Sequence, residues 1–156
     1  MKELYKAVAT ILQNDATLIA LVGYDEDNSY NIIRGYQFME KGGPYDSYTG
    51  PKRKWLKLVA YYFQPAINFT DFTSGIRRIP LIVRVYDRDN DLNVETIAER
   101  VIYLLHDADL DVTGKIHVQR CFYDGDLIAT SWNNDLKSYE KVLRFDVIVH
   151  NLESKS

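Results

Sequence analysis

The chain has one cysteine, Cys121, so no disulfide can form within it. It has no long apolar run: nothing approaches the roughly 20 residues that a membrane-spanning helix needs. It has no basic excess. Lys and Arg number 19 against 22 Asp and Glu, for a net charge of −3. That balance argues against a nucleic-acid binder working by bulk charge. The opening residues lack the uninterrupted apolar stretch of a secretory signal, because Lys2, Glu3, Lys6 and Asp15 break it. The expectation is a soluble intracellular protein. The sequon at Asn68, Phe69 and Thr70 then carries no sugar.

Glycine and proline are scarce and unevenly spread. Residues 35–54 hold four of the eight glycines and two of the four prolines, with no apolar period. A stretch this long without pattern is usually functional or mobile. It ends in a basic run, Lys52, Arg53 and Lys54.

What is present reads as one domain of ordinary size, over residues 1–151, with a frayed tail at 152–156. Leu4, Val8, Ile11 and Leu12 form one helical stripe. Asn14 and Asp15 break it, and residues 17–22 add a turn or two, closed by Gly23. Ile32 and Ile33 predict a short strand, and residues 55–63 a clear one. Residues 75–87 alternate strictly: Ile79, Leu81, Val83 and Val85 on one face, Arg78, Ile82, Arg84 and Tyr86 on the other. Pro80 places its part of that strand on an edge or beyond its neighbour. Val94, Ile97, Ala98, Val101, Leu104 and Leu105 make a second helical stripe. Residues 116–123 predict a strand, 123–126 (Tyr-Asp-Gly-Asp) a turn, and 139–151 a last strand. The order gives an α+β fold: a mainly antiparallel or mixed sheet with two helices packed on one face.

Asp87, Asp89 and Asp91 imitate the start of a calcium loop. Such a loop needs glycine at its sixth position and glutamate at its twelfth. Here those are Leu92 and Ala98, and a strand precedes the loop rather than a helix. The segment reads as a strand-to-helix connection, with Asn93 as cap and Glu95 in the first turn. The other catalytic and metal patterns fail as well. No Gly-Lys-Ser/Thr follows the glycines of residues 35–50. His106, His117 and His150 lack metal-ligand spacing, and His106 reads as a partner of a helix C-terminus. Cys121 lies in a strand pattern as a small buried apolar residue, and Ser131 and Ser138 have no nucleophile-elbow context. The expectation is a protein that is not an enzyme and holds no cofactor or metal. The features left over are the basic run Lys52, Arg53 and Lys54, and Phe69, Phe72, Arg77 and Arg78 ahead of the long strand. Aromatics and arginine are enriched at protein interfaces, so these are candidate docking residues.

The opening "LYKAVATILQNDATLIALVG" resembles the start of small phage tail terminator, or tail-completion, proteins. The resemblance continues through "TDFTSGIRRIPLIVRVYDRDNDLNVETIAERVIYLLHD" and closes on "SYEKVLRFDVIVHN". It rests on the order of pieces over most of the chain rather than on one invariant motif. Residues 35–54 are longer than the family pattern leads one to expect. The resemblance implies an α+β structural protein of the virion tail-neck region. Such a protein closes a ring, typically hexameric, on the tail tube, stops tube growth and offers a surface to the capsid neck. The implied partners are further copies of itself, the tail-tube protein and a neck or head-completion protein. No membrane and no sequence-specific nucleic acid are implied, although DNA passes the ring lumen. A head-tail adaptor or stopper of the neck is one alternative. A cellular α+β small-molecule-binding domain is another.

Overall fold

A computed structural model describes residues 2–23, 32–34, 56–65, 67–68, 76–110 and 116–151. The candidate residues Lys52, Arg53, Lys54, Phe69 and Phe72, the rest of 35–54 and the tail 152–156 lie outside the described residues.

The expected first stripe forms α1, Lys2–Gln13, which buries Leu4, Val8 and Leu12. The break at Asn14 and Asp15 starts a separate short helix, α2, Ala16–Val22. In place of the two helices expected, the described residues hold three, because Asp15 makes a new start. Its carboxylate accepts the Leu18 N–H at 2.8 Å, which caps the first turn. Gly23 ends the helix with φ of 81°, a conformation that suits glycine.

Among the described residues, six strands make one mixed sheet: β1 Ile32–Arg34, β2 Lys57–Phe63, β3 Ile67–Asn68, β4 Ile76–Asp87, β5 Ile116–Asn133 and β6 Ser138–Asn151. The main order is β1-β2-β4-β6-β5, with β3 also paired to β4. β1 runs parallel to β2; every other pairing is antiparallel. Helix α3, Asp91–Leu105, follows β4 and buries Val94, Ile97, Ala98, Val101 and Leu105.

All three helices contribute to one apolar core against one sheet face, which carries Val59, Tyr61, Leu81, Val83, Val85, Leu143, Phe145 and Val147. The other face holds a small cluster of Tyr62, Ile82 and Val142. Charged groups sit beside that cluster: the Arg84 Nε donates to the Tyr62 hydroxyl at 3.1 Å, and Arg144 donates to the buried Asp146 at 3.1 Å. The fold is the expected α+β arrangement.

Two local expectations need correction. The helix cap after β4 is Asn90, not Asn93. Asn90 is extended and its side chain accepts the Leu92 N–H, so α3 begins one turn early, with Asp91 in its first turn. Glu95 instead bonds Lys141 at 2.8 Å and Thr130. The expected turn at residues 123–126 is a bulge within β5: the register with β6 shifts between Tyr123 and Gly125, and Gly125 takes φ of 125°. The chain turns later, where Asn133 accepts the N–H groups of Asp135 and Leu136. The second of the two places expected for Pro80 is the one found: β4 is a central strand, with Pro80 opposite Asp146 of β6, but Pro80 lies just beyond the end of its pairing with β2. It is tolerated because β2 pairing ends at Phe63 opposite Leu81. The Pro80 carbonyl accepts the Gln64 N–H at 2.9 Å, so its missing N–H faces the junction between β2 and β3.

One long-range tie sets a testable pH dependence. Arg100 of α3 grips both carboxylate oxygens of Asp15, at 2.8 and 3.0 Å. That grip holds the Asp15 carboxyl below its usual value of 3.8. Folded Asp15 therefore binds fewer protons than unfolded Asp15, and its contribution is full above the ordinary carboxyl range and fades as pH falls below it. Asp15→Asn keeps a capping side chain but loses the charge. It is expected to cost about 1 kcal/mol at neutral pH. Urea titrations of the two proteins should converge as pH falls through and below the ordinary carboxyl value of 3.8. A constant gap across that range would remove the pair as its cause.

Candidate functional site

Arg77 and Arg78 are the candidate docking residues that fall among those described. They open β4, where Arg77 lies between Val149 of β6 and Asn68 of β3, and Arg78 between Ile148 and Ile67. Adjacent strand residues point to opposite faces. Arg77 therefore shares the helix-side face with Ile79 and Leu81, and is exposed; Arg78 is half-buried on the other face. The sequence placed them together, but the pleat separates them, so one flat partner cannot engage both in the same way.

Among the described residues, both outer strands of the sheet take single hydrogen bonds from the helices or their ends. The Tyr5 hydroxyl accepts the Phe63 N–H at 3.0 Å, beyond the short β1. Gln13 donates to the Ile32 carbonyl at 3.2 Å. At the opposite edge, the end of α3 closes part of β5: the Asp107 N–H meets the Cys121 carbonyl at 2.8 Å, and the His106 Nδ1 accepts the Tyr123 N–H at 3.0 Å. Past that point β5 exposes Leu127, Ile128 and Trp132, and α3 exposes Leu92 and Tyr103. Sequence reasoning passed over these five. A signal for two of them existed: Leu92 and Tyr103 fall outside the buried stripe of α3 on a 100° wheel. Leu127 and Ile128 carried none, because bulges break the alternation there.

Other sequence candidates also take definite places. Asp87 is fully buried, and its Oδ1 accepts the N–H groups of Asp89 and Asn90 at 2.7 and 3.0 Å. The residue that would lead a calcium loop instead shapes the connection to α3. Cys121 is buried in the main core, and burial pushes its thiol up to about 12, which disfavours the nucleophilic thiolate. His150 stands opposite both Ile76 and His117 in the sheet register, while His106 lies at the end of α3. Among the described residues, no group of three or more His, Cys, Asp or Glu could hold a metal ion. No helix among them is long and apolar enough to cross a membrane.

No family model matches the chain, and no curated protein matches it. Among solved structures, it is similar to a chain of the virion of a native gene transfer agent (GTA) particle. The TM-score is 0.68 at 17% identity, over 92% of both chains. At that identity the likeness establishes a shared fold.

Proposed function

We propose that the protein is a structural component of a phage or phage-like virion, and that it acts without turnover. The observation that carries this reading is the shared fold, over 92% of both chains, with a chain of a gene transfer agent virion. The order of sequence pieces supports a narrower role. Further copies of the chain close a ring, most simply a hexamer, on the end of the tail tube. The ring stops tube polymerisation and presents a surface to the neck protein. Such a ring needs head-to-tail contacts, so each subunit carries two different adhesive surfaces. Arg77 is the described candidate for one of them, and Phe69, Phe72, Arg78, Lys52, Arg53 and Lys54 are further candidates for such contacts.

Electron microscopy of particles made without the gene tests the role. Tubes of uncontrolled length identify a terminator. Tubes of normal length beside unjoined heads identify an adaptor or stopper of the neck instead. Intact joined particles reject a structural role altogether.

A further inference from the structure

The outer edge of β5 is closed at one point by a corner of chain, and the chemistry of that corner depends on a proton. α3 ends at Leu105, and His106 follows as its C-cap with extended backbone. Asp107 then takes φ of 56°, a conformation aspartate tolerates better than most residues. That turn aims the Asp107 N–H at the Cys121 carbonyl and the His106 imidazole at the Tyr123 N–H. The two bonds, 2.8 and 3.0 Å, make His106 and Asp107 stand where a further strand would stand.

The imidazole bond fixes the tautomer. A ring nitrogen that accepts an N–H bears no hydrogen, so the ring proton sits on Nε2. Nε2 faces the Asp107 carboxylate at 3.4 Å, which favours that placement. A second proton must then go to Nδ1, where it meets the Tyr123 N–H head on. Two donors cannot share that position, so the charged ring has to leave it.

We propose that His106 and Asp107 form an acid-sensitive latch on the edge of β5: closed with a neutral imidazole, opened when the ring takes its second proton. The charged and titratable surroundings act in both directions. Asp107 attracts the imidazolium, while Arg120, 3.4 Å from the same carboxylate, offsets that attraction. On β5, the Cys121 thiol is buried, and the Tyr123 hydroxyl is spent on Asp126. None of these supplies a second acceptor for the Tyr123 N–H. The Nδ1 lone pair is therefore the part of the closure that a proton removes, while the bond from the Asp107 N–H to the Cys121 carbonyl carries no titrating group. The latch stands independently of the tail role proposed above.

Hydrogen exchange at the Tyr123 amide, corrected for its intrinsic chemical rate, reads the latch directly. Wild type and His106→Asn are compared from about pH 8 to about pH 5, the span over which histidine ordinarily changes charge. Asparagine keeps an acceptor near the Nδ1 position and does not titrate. The expected result is a loss of Tyr123 protection in the wild type of about fivefold, the worth of one net hydrogen bond, and none in His106→Asn. Thermal melts at neutral pH check that the variant is folded. Protection that stays constant in the wild type, or that falls equally in both proteins, overturns the proposal.

Discussion

Phe145→Ala is expected to bring the protein close to unfolding at room temperature. Phe145 is fully buried on β6, opposite Leu81 of β4 on one side and Tyr123 of β5 on the other. Leu81 in turn faces Phe63 of β2, so one row of apolar side chains crosses four strands beneath the helices. The Phe145 and Tyr123 rings pack at 5.5 Å between centroids. Removing the ring leaves a cavity in the middle of that row, where strands on both sides prevent collapse. Truncations of this kind cost about 3–5 kcal/mol. Domains are stable by only about 5–15 kcal/mol. The urea midpoint should fall by about a fifth or more at unchanged slope. Tyr103→Ala is the internal comparison. Its ring is 72% exposed on α3, and its removal should move the midpoint by no more than about 0.5 kcal/mol. Equal shifts for the two variants would show that the row is not the centre of the core.

The parts of this fold that were legible in the sequence are those whose burial follows one element's own period. Ile79, Leu81, Val83 and Val85 alternate, and they face the helices. Val94, Ile97, Ala98, Val101 and Leu105 recur every three or four residues, and they are the buried side of α3. The parts misread depend on a second element. Gly125 supplies a positive φ that serves a turn or a bulge equally well. Only the presence of β6 alongside makes it a bulge. Asn90 and Asn93 are both good caps, and the choice falls to Asp87, whose carboxylate gathers the N–H groups of Asp89 and Asn90. The Asp15 to Arg100 pair spans 85 positions, beyond the reach of any local pattern. The candidate surface was less legible than the fold, because an interface has no period. Arg77 and Arg78 read as one basic pair until the pleat of β4 turns them to opposite faces. The closing of the β5 edge by His106 could not be foreseen, since it needs the end of a helix and a strand 17 positions later to meet.

Under the proposed tail role, Arg77→Glu together with Phe72→Ala is expected to leave a folded subunit that cannot finish a tail. Arg77 is exposed at the start of β4, so reversing its charge leaves the core untouched. It is a better probe than the half-buried Arg78, whose loss would confound contact with stability. Phe72 lies five positions upstream, in the aromatic stretch that the sequence marks as a docking candidate. Arginine can grip a neighbour's carboxylate with two bonds, and an aromatic ring supplies buried area. Truncating such an anchor can cost about 2 kcal/mol or more, roughly thirtyfold in affinity. The proposed ring would repeat that loss at every junction, so its completion would fall much more steeply than any single contact. Circular dichroism and the urea midpoint should match wild type within about 0.5 kcal/mol. Particles assembled with the variant in place of the native protein should carry tubes of uncontrolled length. Tubes of normal length joined to filled heads would show that these two residues are not the contact, while the role itself would still rest on particles made without the gene.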